Sequence, residues 1–331
     1  MLRVCTIGLG QVGRAHADAY RGEELAQLVG VCDLDVGRAQ DAAARLEAPA
    51  FGDAGEMLES VRPDLVSVCV GYSDPFAPAM QALERGCHVL CEPPLSNQPA
   101  RAREMVDFAR ARGLILAADF NLRFTPAALT AKRWIAQGRL GTPLFINIAL
   151  FSGEGAKNAD SEAALWRLGH HGFDLARWLC GDIARLQCFA ARAPGGNAWA
   201  SAQVNLRFAA DVVGGLTISR EMATVHPLAR CEVAGTTARL VVDNVYEELT
   251  LYPHASEEKT VVTNSIFGGL GSYEETYRCR VRRLLEQLAA GATPEAIEGS
   301  GAEAVAAQAA LEAGIKSLET GEMAAPLNDA A

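Results

Sequence analysis

The sequence predicts an α/β fold: an N-terminal Rossmann doubly wound parallel sheet, then a C-terminal α+β domain with an open, mainly antiparallel sheet. Three observations carry this expectation. Short β-branched runs alternate with amphipathic stretches up to about residue 119, a glycine-rich turn joins the first strand to the first helix, and after Pro126 strand candidates follow one another directly. A length of 331 residues suits two domains. They are expected at 1–120, for dinucleotide binding, and 121–331, for substrate binding and oligomerisation, with the last helix a candidate to pack back on the first domain.

In the first part, strands are expected at Leu2 to Ile7, Gln27 to Cys32, Leu65 to Val70, His88 to Cys91 and Leu114 to Ala118, each a short apolar run between turn signals. Pro99 to Arg112 is expected as a helix: Ala102, Met105, Val106 and Ala109 fall at helical spacing, and Gly113 supplies the stop. A helix around Ala127 to Gln137 ends at Gly138. A strand at Leu144 to Leu150 then leads through a Gly-rich loop, Ser152 to Asp160, into a helix from about Glu162 to Cys180. Strands near Arg185 to Arg192, Ala200 to Phe208, Val212 to Arg220, Ala229 to Ala234, Ala238 to Val242 and Glu247 to Leu251 are joined by Gly, Asp and Asn turns, the texture of an antiparallel sheet. Helices return at Tyr273 to Leu288 and Gly301 to Leu318.

Composition removes several function classes. Half of the residues are apolar and 21% are charged, which sets the chain apart from disordered proteins. Thirty basic against forty acidic residues, with no Lys/Arg run, disfavour nucleic acid as a partner. The longest apolar runs are strand-sized, far below the roughly 20 residues of a membrane helix, so no span is expected. The strand pattern is under way by Leu2, leaving no room for an export signal, and the nine cysteines include no C-x-x-C pair. The expectation is a cytoplasmic protein with reduced, buried thiols and no metal centre.

The first strand runs into Gly8-Leu-Gly10-Gln-Val-Gly13, a helix-forming stretch follows, and Asp33 ends the second strand 20 residues past Gly13. That context turns a common glycine pattern into a dinucleotide site. Gly8 permits the tight turn, Gly10 admits a pyrophosphate to the helix N-terminus, and Gly13 lets helix approach strand. Asp33 would accept from both ribose hydroxyls and repel a 2′-phosphate, favouring NAD over NADP. Asp35 and Arg38 lie close by, and a purely structural role for Asp33, capping the next helix, stays open.

The segment Ala82-Leu-Glu-Arg-Gly-Cys-His-Val-Leu-Cys-Glu92-Pro93-Pro94-Leu95 resembles the Glu-Lys-Pro region of the glucose-fructose oxidoreductase / inositol dehydrogenase / rhizopine-catabolism (Gfo/Idh/MocA) family. The likeness continues through Asn121-Leu-Arg123-Phe-Thr-Pro126, Gly138-Arg-Leu-Gly141-Thr-Pro143, Gly169-His-His171-Gly-Phe-Asp174-Leu-Ala-Arg177-Trp178 and the closing stretch Ala309 to Gly321, nearly the whole chain. It implies hydride transfer between a nicotinamide and a sugar, cyclitol or sugar acid. The expected cofactor set is Gly8, Gly10, Gln11, Val12, Gly13, Asp33, Leu34, Gly71 and Tyr72, with Glu92 and Pro93 flanking the nicotinamide. A cis peptide before Pro94 would fit such a turn.

The departures bear on chemistry. Where the family places its catalytic lysine stands Pro93, which has no donor. Arg167 replaces an aspartate common in the family, and Phe76 a histidine. His171 matches the family's histidine helper and, with Asp174 three residues on, is the expected catalytic pair; Arg167 shares their helical face and could clamp a carboxylate. The alternative is that His171 and Asp174 bond each other or the backbone. Asn121, Arg123, Lys157, Arg167 and His170 are the expected substrate contacts. Arg123 equally suits a structural ion pair, Lys157 a solvated loop, and His170 a direction away from the site.

Three functions compete: an NAD-dependent oxidoreductase with a proton relay led by His171, an NAD-binding pseudo-enzyme serving an active relative, and a non-redox reaction through transient oxidation by bound NAD. A homo-oligomer, dimer or tetramer, is expected, because an open sheet face around 200 to 250 needs covering.

Overall fold

A computed structural model describes residues 1–71, 73–152, 161–193, 195–222, 229–244, 247–264 and 270–327, with only the backbone described over 161–165. The chain forms two compact units, the first comprising Met1–Asn121 and Gly271–Val305, the second Leu122–Leu270 and Ala306–Ala331. A single division near residue 120 therefore leaves out a return of the chain: residues 271–305 belong to the first unit. The last helix, expected as the element that packs back, gives its start, residues 301–305, to the first unit and its remainder to the second, while the whole helix before it belongs to the first.

The first unit holds β1 (Leu2–Ile7), α1 (Gln11–Arg21), β2 (Ala26–Cys32), α2 (Val36–Leu46), β3 (Ala50–Phe51), α3 (Ala54–Val61), β4 (Leu65–Val68), α4 (Phe76–Glu84), β5 (His88–Cys91), α5 (Pro99–Ala111) and β6 (Leu116–Ala118). Its six strands run in the order β3-β2-β1-β4-β5-β6, all parallel, so the order reverses between β1 and β4. That reversal opens a crevice at the carboxyl ends of the strands, the standard place for a ligand in such sheets. Burial of every residue of β4 is what a strand covered on both faces requires.

The second unit holds α6 (Pro126–Ala136), β7 (Pro143–Phe151), α7 (Ser161–Cys180), β8 (Ile183–Arg192), β9 (Trp199–Phe208), β10 (Val213–Ser219), β11 (Ala229–Gly235), β12 (Ala238–Asp243), β13 (Glu248–Pro253) and β14 (Thr260–Thr263). Then α8 (Glu274–Ala289) returns to the first unit, and the division between units falls within α9 (Gly301–Thr320). In the first unit Val281, Leu284 and Leu285 of α8 join Val4, Tyr20, Leu65 and Leu90 in one apolar cluster. The penultimate helix thus completes the core of the nucleotide fold.

The second sheet has eight strands in the order β14-β13-β12-β11-β7-β10-β9-β8. All pairs are antiparallel except β7 with β10. Strand β9 alternates buried Ala200, Ala202, Val204, Leu206 and Phe208 with half-buried Ser201 and exposed Gln203, Asn205 and Arg207, as a one-sided sheet demands. Helix α7 lies close on the buried face. A Cβ at Gly172 would sit 2.5 Å from Leu216, and one at Gly169 would sit 2.8 Å from Leu311 of α9. Those two glycines fix the rotation of α7, and with it the directions of His170 and His171. Among the described residues no helix is long and apolar enough to cross a membrane.

Candidate functional site

At the end of β1, Gly8 adopts a φ of +85°, and a Cβ there would lie 2.4 Å from the Cys69 carbonyl oxygen, so only glycine fits this turn. Gly10 caps α1 and has nothing within 4 Å of its missing Cβ, the open space a pyrophosphate needs. At Gly13 the Cβ would meet the Gly8 carbonyl oxygen at 1.7 Å: helix and turn touch through bare backbone. Gln11 is exposed and donates to Glu274 at 3.2 Å, while Val12 is half-buried.

The Asp33 carboxylate is held in place before any ligand arrives. One oxygen accepts the Leu9 N–H at 2.7 Å, tying it to the glycine turn; the other accepts the Asp35 N–H at 2.9 Å. It does not cap α2, a role taken by Asp35, which accepts from Arg38 N–H. Arg38 also lies 3.4 Å from Asp33. Leu34, 90% exposed beside Asp33, offers an apolar platform of the kind an adenine ring covers. Asp33→Ala is expected to weaken NAD binding about 10- to 100-fold and to narrow the preference over NADP, since it removes the repulsion and frees Arg38, as calorimetry with both nucleotides would show.

Gly71 is exposed at a φ of +64°, and Tyr72 lies outside the described residues. Pro93 is buried, Glu92 is mostly so, and the Pro93–Pro94 peptide is cis. These residues follow β4 and β5, on the carboxyl side of the sheet.

The C-terminal candidates arrange differently from the expectation. Asp174 is 1% exposed and both its oxygens accept from the Arg123 guanidinium, itself 2% exposed, in a bidentate ion pair. This pairing supports a structural role for Asp174, expected as the catalytic partner of His171, and, of the two roles expected for Arg123, the ion pair over the substrate contact. Trp178 closes over the pair, its ring 5.8 Å from the guanidinium carbon. Asn121, expected as a substrate contact, is fully buried and its amide donates to Thr276 at 2.8 Å within the first unit. His170 is 5% exposed, and burial together with the neighbouring charges of His171 and Arg167 lowers it to about 3. That is a neutral imidazole packed in the core, which favours the alternative reading of His170, a direction away from the site, over a substrate contact. His171 and Arg167 remain half-buried on α7, and Lys157 lies outside the described residues.

The structure also assembles a cluster that the sequence reading passed over. His16 of α1 lies 2.8 Å from Asp119 and 3.3 Å from Glu92, with Tyr273 and Tyr277 near by in the first unit. Two signals were available: a histidine on the buried face of the helix after the fingerprint, and an aspartate closing the apolar run Leu114 to Ala118. Eight of the nine cysteines are buried and none is in a disulfide.

A family profile described as "Oxidoreductase family, NAD-binding Rossmann fold" matches residues 2–120, and one described as "GFO/IDH/MocA C-terminal domain" matches residues 128–241. The chain belongs to the Gfo/Idh/MocA family. Its first unit is accordingly the NAD-binding Rossmann domain of that family. Inositol 2-dehydrogenase 4 of Saccharopolyspora erythraea is 28% identical over 97% of this chain and 94% of that protein. D-glucoside 3-dehydrogenase of Escherichia coli is 41% identical over 142 residues, 42% of this chain. The matched stretch spans 40% of that relative and 61% of the D-apiose dehydrogenase of Paraburkholderia graminis. Among solved structures, an NAD binding oxidoreductase from Klebsiella pneumoniae superposes with a TM-score of 0.86 at 24% identity, covering 99% of both chains. A levoglucosan dehydrogenase in complex with NADH and levoglucosan gives 0.86 at 19% identity, over 99% of this chain and 100% of that one. At these identities the superpositions establish a shared fold.

Proposed function

We propose that this Gfo/Idh/MocA member is an NAD-dependent oxidoreductase acting on a sugar, cyclitol or sugar acid, with its proton transfer rebuilt around the absence of the lysine. The observation that carries the reading is the pre-set nucleotide site: a turn that only glycine can form, tied through Leu9 N–H to the Asp33 carboxylate. NAD, when bound, accepts a hydride from the carbon undergoing oxidation. The Gly8–Gly13 turn and the α1 N-terminus hold the pyrophosphate, and Asp33 accepts from the ribose hydroxyls. His171, the half-buried imidazole of α7, orients the substrate hydroxyl, and Arg167 stands ready for a carboxylate on a sugar acid. Asp174 serves through its ion pair with Arg123, which accounts for one bond at each of its oxygens. Association of copies through the one-sided face of the eight-stranded sheet belongs to the same reading; Phe189 and Val213 are large apolar side chains left exposed on it.

A second reading, an NAD-binding protein without turnover, draws support from Pro93 and from the burial of Asn121, Arg123 and Asp174. Calorimetric titration with NAD, followed by a panel of sugars, cyclitols and sugar acids read at the absorbance of reduced cofactor, separates the two. Turnover supports the dehydrogenase; tight binding without turnover favours the second reading or transient oxidation. With a substrate in hand, His171→Ala is expected to lower kcat/KM by about 10²-fold or more while NAD affinity stays unchanged. Full activity in that variant removes His171 from the mechanism.

A further inference from the structure

Three ionisable side chains from three separate elements meet in the first unit beside the Pro93 turn. Nε2 of His16 lies 2.8 Å from Asp119 Oδ2 and 3.3 Å from Glu92 Oε1, while its Nδ1 is 3.0 Å from the Ser67 hydroxyl, which in turn sits 2.7 Å from the Tyr20 hydroxyl. The side chains of His16 and Asp119 are fully buried and that of Glu92 is 12% exposed, so Glu92 alone of the three reaches the surface.

One imidazole nitrogen cannot satisfy two carboxylates. Asp119 takes the direct hydrogen bond, and Glu92 is left with a carboxylate for a neighbour in a dry site, where two like charges so close cannot both be ionised cheaply. One of the two holds a proton, and the longer contact places it on Glu92. The three donor atoms lie within 4.8 Å of one another, a spacing that a metal would also accept. The direct His16–Asp119 bond already closes that nitrogen, and the set holds a proton instead.

We propose that Glu92 does the work of the missing lysine, exchanging the substrate's hydroxyl proton, with His16 and Asp119 as positioning residues that keep its carboxyl able to do so. This rests on the dehydrogenase reading above. In the reductive direction the neutral Glu92 carboxyl would release its proton to the carbonyl oxygen as the substrate carbon takes a hydride from the reduced nicotinamide, leaving an alcohol and an ionised carboxylate that water reprotonates. Oxidation would run the same step backwards from the ionised carboxylate, the form that gains as pH rises towards about 8. Pro93 fits this scheme twice over. It supplies no competing donor, and it removes the ammonium that a lysine would set next to Glu92 in sequence and that would hold the carboxylate ionised.

The surroundings act in the same direction. Glu92 faces His16 from α1, Cys69 beyond β4, Asp119 beyond β6, and Tyr273 and Tyr277 from the α8 segment, while Arg280 of α8 acts on Asp119. Burial and then the Asp119 carboxylate raise Glu92 to about 8, outweighing His16. Burial pulls His16 downward, but Cys69 and Asp119 together hold the imidazole well above its ordinary value. A neutral Glu92 in the fold means that its ionisation opposes folding. The stability cost is absent below its ordinary 4.5 and grows as pH rises towards about 8.

The test is Glu92→Gln, which keeps the shape and removes the exchangeable proton, with Glu92→Asp beside it. On whichever panel compound the wild type oxidises, the Gln variant should lose about 10²- to 10⁴-fold in kcat, measured at saturating NAD, and the limb of the pH profile near 8. The Asp variant should recover part of the rate and a shifted limb. Without cofactor or substrate, the melting temperature of the Gln variant should gain on the wild type as pH is raised from about 5 to about 8. Unchanged kcat and an unchanged limb overturn the role of Glu92 while leaving the dehydrogenase standing. A flat melting difference overturns the buried proton. No turnover by the wild type overturns the dehydrogenase reading and this one with it.

Discussion

Asp174→Asn is expected to destabilise the C-terminal unit by about 3–5 kcal/mol, a fall in melting temperature of roughly 6–20 °C, because it strands the Arg123 guanidinium in the core. The magnitude follows from burial: at 1–2% exposure neither partner has water to fall back on. Arg123→Met should cost a comparable amount by taking the guanidinium away from a buried carboxylate. The double variant Arg123→Met with Asp174→Leu should recover much of the loss, since an apolar pair of similar volume often matches a buried ion pair. Thermal or denaturant unfolding measures all three. The family resemblance alone places these residues at the ligand, and a ligand role predicts the opposite: unchanged melting with a raised KM. Stability lost in each single variant and regained in the double one would settle the pair as structural.

Gly13→Ala should weaken NAD binding by about 100-fold or more, close to 3 kcal/mol, and also cost stability of about 1–3 kcal/mol by overpacking. A methyl 1.7 Å from the Gly8 carbonyl oxygen cannot be accommodated by a rotamer change, because the opposing atom is backbone. Either α1 moves off the turn or the turn opens, and in both cases the Leu9 N–H leaves the Asp33 carboxylate. Gly10→Ala is the control of opposite sense: its Cβ meets nothing in the protein, so binding suffers only where the nucleotide itself needs the space. Calorimetry on the two variants distinguishes a collapsed site from a blocked one.

The fold was legible wherever local pattern and tertiary environment agree. The strand expected at His88 to Cys91 has those bounds, and the helices expected at Pro99 to Arg112 and Gly301 to Leu318 end within two residues of the observed ones. The two-residue β3 and the edge strand β14 were not foreseen. Both owe their existence to a neighbour's hydrogen bonds, and neither has enough residues to show a period. At the site, Asp33 and the glycines were readable because their chemistry is written within one βαβ unit. Asp174 and His171 are three apart on one helix, which suggests a pair. Arg123, 51 residues upstream, claims the carboxylate instead, a choice made in space that no spacing records. His16 and Asp119 escaped notice for the same reason: their meeting depends on strand order, and each by itself is one polar residue in an apolar stretch.

The return of α8 to the first unit has a consequence for how the molecule is made. Val281, Leu284 and Leu285 fill the same cluster as Val4 and Leu65, so the nucleotide fold is discontinuous in sequence, with about half of the chain synthesised between its two portions. A nascent N-terminal portion emerging from the ribosome would bear an apolar patch waiting for a helix not yet translated. The long loop closure needed to dock that helix places the completion of this core late in folding. Cofactor capture by the finished domain therefore follows, and cannot precede, synthesis of the penultimate helix.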